Sequence, residues 1–274
     1  MKRFIEVPDC WEEVTPRQWK NLLRLYFRLM TDSSITKDDF LLDLADCFLG
    51  RKKFIHPGQT QRYNLLVSQV AESLEWMIGQ DDNGLIFLNY TSTVNLLPSI
   101  NGLLGPQSHG SDLLFGEYRV AVDFYNRFTI EHQTKDLDAL VGVLYRPENK
   151  TTDLHQREPF SRHRINRYSE RASNLPDHLK WGVYLWFGYF CRYIVEGGLF
   201  IIEGAEVCFS DVFGRQESDP DAKAYDSIGM LSVLFSLADA GTFGNTSQTD
   251  ETELFSVLLK LLHDKITNDK IKAR

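Results

Sequence analysis

Five arginines between Arg157 and Arg171 are the residues whose types and spacing most suggest a chemical task. Arg157, Arg164 and Arg171 recur every seven residues, so on a helix they form one stripe, with Arg167 close to it and Ile165, Tyr168 and Ala172 on another side. Against Glu158 and Glu170 the segment carries a net +3, leaving −11 for the remainder of a chain whose total is −8. A cationic stripe on an acidic protein has four uses. It is a solvated helix face, a dock for an anionic partner protein, a clamp on the chain's own acidic surface, or a track for phosphates. Arg157, Arg164, Arg167 and Arg171 are therefore the candidate partner-binding residues.

Other chemistry has characteristic spacings, and the sequence does not show them. Zinc hydrolases need ligands such as two histidines one helical turn apart, whereas His155 and His163 are eight residues apart and His178 and His263 have no partner at helical spacing. Gly102 to Gly105 and Gly241 to Gly244 lack the preceding strand and following lysine of a phosphate loop, and read as turns. No Gly-Xaa-Ser-Xaa-Gly elbow occurs. Asp81-Asp82-Asn83-Gly84 opens like a calcium loop but lacks the glutamate that should close it at the twelfth position. The paired carboxylates Glu12-Glu13, Asp38-Asp39 and Asp81-Asp82 stand at helix starts and turns, where negative charge supports the backbone. The sequence thus gives no support for enzyme chemistry, and the expectation is no catalytic residue, no metal and no cofactor. Cys10, Cys47, Cys191 and Cys208 form no CxxC pair and read as reduced, half-buried thiols of a cytoplasmic protein.

The elements that would hold such residues are mostly helices. With 43% hydrophobic and 25% charged residues, the composition is that of a globular protein able to bury a core without disulfides or metal. Thr15-Pro16-Arg17-Gln18 is a capping box with proline at the first helical position, followed by a Trp19, Leu22, Leu23, Tyr26 and Met30 face. Thr36 caps a second helix that stops at Gly50, giving an αα-hairpin over which Trp11 can fold back. A third helix is expected from about Gln61 to Ile78, with Leu65, Leu66, Val70, Leu74 and Met77 buried, then a strand over 85–90. Residues 91–116 read as a long ordered loop with short strands. Helices follow at 117–131 and from a Thr134 cap to Leu144. Two short strands lie within 200–209, a polar loop spans 214–225, and helices near 227–239 and 250–267 close the chain.

The densest aromatic run lies between Asp177 and Phe200. On helical spacing Trp181, Tyr184, Leu185, Gly188 and Arg192 share one face, while Trp186, Phe187, Phe190 and Ile194 point elsewhere. The uncharged stretch from Lys180 to Arg192 falls short of the roughly 20 residues that span a bilayer, so a buried core helix is expected and no membrane contact. The fold class is mainly α, one globular domain over residues 1–274 with small β-hairpin elements, subdivided if at all near 91–116 or 148–156.

Several motifs in order, Val7-Pro8, Trp11, Glu13 to Gln18, Asn101-Gly102, Gly105-Pro106, Phe115-Gly116-Glu117-Tyr118, Leu144 to Pro147, Leu175-Pro176 and Trp181 to Tyr184, resemble proteins encoded in prophages of Bacteroidetes-type bacteria. Those proteins look like tail-assembly or other virion morphogenesis factors. The resemblance implies a bacteriophage protein that binds phage structural or assembly proteins without catalysis, in the host cytoplasm or in the virion. It carries no functional residues with it. The alternative is a nucleic-acid-handling protein or an enzyme using the 157–171 segment.

Overall fold

Capping chemistry starts the first two helices where the sequence expects it. In a computed structural model that describes residues 7–50, 60–149, 157–213 and 230–272, α1 (Pro16–Thr31) begins with the Thr15 hydroxyl accepting from the Gln18 amide at 3.3 Å while Gln18 Oε1 accepts from the Thr15 amide at 2.9 Å. Thr36 and Asp39 repeat the arrangement at α2 (Lys37–Leu49), and Gly50 at φ +66° ends it. Trp11 folds back over α1, its ring edge-on to Trp19 at 5.3 Å and to Trp76 at 5.1 Å, and its indole N–H donates to the Asn89 carbonyl. The alternation of residues 4–8 predicts a short edge strand ended by Pro8, of which only Val7 and Pro8 are described, and the basic, proline-containing stretch 51–58 lies outside the described residues.

After α2 the element boundaries depart from the sequence reading. α3 (Thr60–Ser73) stops early, a 3-10 turn spans Glu75–Met77, and Ile78 opens β1 (Ile78–Gln80), paired antiparallel with β2 (Ile86–Leu88). Leu65 is 61% exposed, and the buried stripe is Val67, Val70, Ala71, Leu74 and Met77. With apolar residues adjacent at 65–67, periodicity could not phase this helix, and packing against α2 chose the face. Within 91–116 the expected short strands are β3 (Ser99–Ile100) and β4 (Leu103–Leu104), turning through Asn101 at φ 47° and Gly102 at +83°.

The β3-β4 hairpin is completed by a strand from beyond the next two helices. α4 (Phe115–Glu131) ends at His132 in the left-handed region, α5 (Thr134–Leu144) has Gln133 rather than Thr134 as its cap, and β5 (Arg146–Pro147) pairs antiparallel with β4. α6 (Ile165–Ser173) lies close on α5 because Gly142 has no side chain. A Cβ there would stand 2.6 Å from the Tyr168 carbonyl carbon.

α7 (Asp177–Val195) runs through the middle of the apolar core. Trp186 and Phe190 are 1% and 0% exposed, as expected, with rings stacked 5.6 Å apart. The Trp186 indole N–H donates to the Thr93 carbonyl at 3.0 Å, tying the long loop to the helix. At Gly182 a Cβ would meet Leu23 of α1 at 2.5 Å, so the missing side chain sets how closely α1 and α7 approach.

β6 (Leu199–Ile202) and β7 (Ala205–Cys208) form the expected hairpin around Glu203 at φ 51° and Gly204 at +82°. The short α8 (Ser210–Phe213) follows, and the polar loop 214–225 and the start of the next predicted helix lie outside the described residues. After α9 (Met230–Asp239), the helix expected over 250–267 starts later, as α11 (Leu254–Lys272), and a short α10 (Thr246–Asp250) that the sequence reading did not include precedes it after a break. The break has a cause in hydrogen bonding: the Thr252 carbonyl accepts from the Phe115 amide and the Leu254 amide donates to the Leu113 carbonyl, both at 2.8 Å. The described residues thus form a mainly α protein, eleven α-helices with small antiparallel strand pairs, around one connected apolar cluster.

Phe190→Ala removes a fully buried ring from this cluster, and should cost about 3–5 kcal/mol in urea unfolding. An unchanged midpoint would refute the central placement of α7.

Candidate binding site on the aromatic helix

The structure does not assemble the arginine stripe as the spacing suggested. Arg157 precedes α6, in an extended segment bridged to Glu148, and is 3% exposed. Its guanidinium donates to the Leu144 carbonyl at 2.9 Å, to Asp112 Oδ2 at 3.1 Å and to Glu117 Oε2 at 3.2 Å. Glu117 Oε1 accepts from Arg146, which also donates to the carbonyls of Val143 and Glu158. Arg157 is thus an internal ion-pair member and has no face to offer a partner, which corrects its place among the candidates. Arg164 and Arg171 both reach Glu158, at 2.7 and 3.7 Å, and Arg164 and Arg167 are exposed. Isolated exposed pairs of this kind contribute about 0–1 kcal/mol.

Glu117 was legible as an anomaly, because it lies one helical turn before Ala121 on the inward face of α4. Arg146 gave no such signal, being readable only as part of a helix end. Two more buried cations are paired: Arg119 with Asp250 at 2.7 Å, and Lys180 with Asp138 and Asp177 at 2.8 and 2.7 Å. The acidic turn at Asp81 uses Asp81 Oδ1 to accept the amides of Asn83 and Leu85, a turn role for that oxygen. Asp9, Cys10 and Glu13 are the one group of possible ligands within 4.8 Å of one another among the described residues, and Glu13 there accepts the Asp9 amide.

One open feature with converging polar groups is a cleft of about 610 Å³ along α7, within the usual range of ligand sites. Tyr184, Leu185, Gly188, Tyr189, Arg192 and Val195 form one wall, α4 supplies Tyr118, Val122, Tyr125 and Asn126, and residues 87–90 close the third side. The face containing Tyr184, Leu185, Gly188 and Arg192 is the one helical spacing set apart from Trp186, Phe187, Phe190 and Ile194. One face of α7 fills the core and the other lines the cleft. Gly188 makes room for the Tyr125 ring, whose hydroxyl would lie 2.5 Å from an added Cβ. Tyr125 in turn stacks on Tyr184 at 4.8 Å, and the Arg192 guanidinium lies 5.2 Å over the Tyr189 ring. The wall at 87–90 was not readable as part of a site, since its approach to α7 spans about a hundred residues of chain.

Burial favours the neutral form of three groups on this floor. It raises the phenols of Tyr118 and Tyr125 well above their ordinary value and pushes the Cys191 thiol up to about 12, the Tyr118 hydroxyl partly offsetting this at Cys191. A thiol so placed is a poor nucleophile. What the cleft offers is π faces, phenolic hydrogen bonds, the Asn126 amide, and the Arg192 guanidinium with the Glu196 carboxylate 3.8 Å from it.

Compared with models of protein families, with curated proteins and with solved structures, the chain matches none of them. No helix among the described residues is long and apolar enough to cross a membrane.

Glu117→Ala should destabilise by about 3–5 kcal/mol, since it leaves the buried Arg146 guanidinium without a carboxylate and Arg157 with Asp112 alone, whereas Arg167→Glu should stay within about 0.5 kcal/mol. Denaturant titration of both variants checks the contrast. The cleft groups also set a pH dependence. A folded-state pKa raised above the unfolded value of 9.0 for Cys191 gives stability that is complete below pH 9 and is lost as pH climbs toward 12. Tyr118 and Tyr125 act in the same direction above their ordinary value of 10.0. Urea midpoints should therefore fall between pH 9 and 11, and Cys191→Ala should flatten the earlier part of that fall.

Proposed function

We propose that this chain is a non-enzymatic bacteriophage or prophage morphogenesis factor, a tail-assembly or tail-associated protein acting through contacts with other phage structural or assembly proteins. It works in the bacterial cytoplasm. The observation that carries a binding role is the cleft along α7, where Tyr184, Tyr189 and Arg192 of that helix line an open surface together with Tyr125 of α4. Tyrosine and arginine supply most of the energy at protein interfaces, because a ring or a guanidinium offers a large contact area and a hydrogen bond together. The buried arginines and carboxylates that a catalytic reading would recruit are already paired with one another. The phage setting rests on the resemblance of the ordered motifs from Val7 to Tyr184 to prophage-encoded proteins.

A second reading, nucleic-acid handling, is supported by Arg162, Arg164 and Arg167, which are exposed together with His163 around the start of α6. In that case Arg162→Glu with Arg167→Glu abolishes binding to a labelled oligonucleotide and nuclease releases the recovered partner.

Cells carrying the prophage separate the two. On induction, a strain lacking this gene should release particles without complete tails, and a tagged chain should recover a tail component after nuclease treatment. Tyr189→Ala with Arg192→Ala should reduce that recovery roughly tenfold or more, in the range for interface hot spots. Tailed particles in normal number from the deletion strain would overturn the morphogenesis reading.

A further inference from the structure

A second surface, which meets the cleft at Tyr189, has the features of a strand acceptor. β6 is hydrogen-bonded to β7 and, among the described residues, to no other strand. The two-residue turn at Glu203-Gly204 makes Ile202 and Ala205 the closing hydrogen-bonded pair, so Phe200 and Val207 bond inward as well. By the same alternation the backbone N–H and C=O of Leu199 and Ile201 turn to the open edge. The Leu199 carbonyl accepts from the Tyr193 hydroxyl at 3.1 Å, and Ile201 is left with both groups facing out.

This edge borders a groove of about 830 Å³, lined by five consecutive residues, Leu199 to Glu203. Phe255 and Leu259 of α11 lie among its other walls, with Thr91, His109 and Tyr189. A strand laid beside β6 at about 4.8 Å would place alternate side chains on the two sides of the hairpin. One set would sit beside the exposed Leu199 and Ile201, the other toward Phe255 and Leu259. The charge around the groove has one sign. Glu12, Glu203 and Glu253 line it, no lysine or arginine does, and none of the three is in an ion pair among the described residues.

We propose that the open edge of β6 receives an extended peptide of a partner protein, one that alternates apolar residues and carries a lysine or arginine, adding a third strand to the β6-β7 hairpin. Main-chain hydrogen bonds to Ile201 would hold the peptide, the alternating pockets would fix its register, and the three carboxylates would select its charge. An open edge is otherwise a liability that proteins blunt with charge or proline, and β6 has neither before Glu203.

The test uses the full chain against a displayed library of random twelve-residue peptides. Enriched sequences should alternate apolar residues around at least one lysine or arginine, and their binding should weaken with salt as the carboxylates are screened over about 8 Å at 0.15 M. Ile201→Pro deletes the outward N–H without removing a bond to β7, and should weaken the best peptide roughly three- to tenfold. Glu203→Gln with Glu253→Gln should weaken basic peptides selectively. Because the proline variant can also disturb the hairpin, the best peptide is N-methylated at alternate positions and bound to the unaltered chain. Methylation of one alternate set should abolish binding, and of the other should leave it. Several results would overturn the proposal: a library that yields no saturable binder, acidic consensus sequences, or equal tolerance of both methylated sets. So would a dimer in solution that Ile201→Pro dissolves, or binding that appears only after the first six residues are deleted, since each puts a different occupant on the edge.

Discussion

Removing the Glu117 carboxylate from water obliges the chain to bring positive charge to it, because an isolated carboxylate in an apolar interior costs far more than a small domain can spare. Arg146 arrives from the strand after α5 and Arg157 from the segment before α6, and each satisfies its remaining N–H groups on carbonyls and on Asp112. Through these bonds the long 91–116 loop, α4, the end of α5 and the approach to α6 are fixed to one another. Burial lowers the Arg146 pKa while Glu117 pulls it back up, so the three side chains are stable as a set rather than individually. Such a knot specifies an arrangement more than it adds net stability.

On the other side of α4 the constraint is steric. α7 is apolar on nearly every side, and a helix of that kind must find cover all round or leave one side as a surface. Gly182 and Gly188 decide how that cover is arranged, the first by letting Leu23 of α1 reach the backbone, the second by admitting the Tyr125 ring. The cover is incomplete between α4 and residues 87–90, and the gap is the tyrosine cleft. Its rigidity follows from the same packing. The helix that presents Tyr184 and Tyr189 outward is anchored inward by Trp186, Phe187 and Phe190, so little conformational entropy remains to be lost when a partner binds.

The cleft and the β6 groove share Tyr189, which lines both. Both concave surfaces are therefore built partly on α7, one beside its tyrosine face and one beside the open edge of β6. The two differ in what they read. The cleft offers aromatic area, phenolic hydrogen bonds and an arginine beside a glutamate, whereas the groove offers backbone groups and negative charge.

Local chemistry was enough to determine the capped starts of α1 and α2, the hairpin at Glu203-Gly204, and the division of α7 into two faces. Each depends on residues within a turn or two of one another, where hydrogen-bond geometry and helical period leave little choice. The burial of Trp186 and Phe190 was legible for the same reason. Tertiary structure alone decided the fate of the arginines. Seven-residue spacing made Arg157, Arg164 and Arg171 equivalent on a helix, but α6 begins after Arg157, and a guanidinium goes where a buried carboxylate far off in the chain requires it. It also decided the phase of α3, the break between α10 and α11, and the site itself. A cleft exists where elements distant in sequence fail to close on each other, and no local pattern of residues encodes a gap.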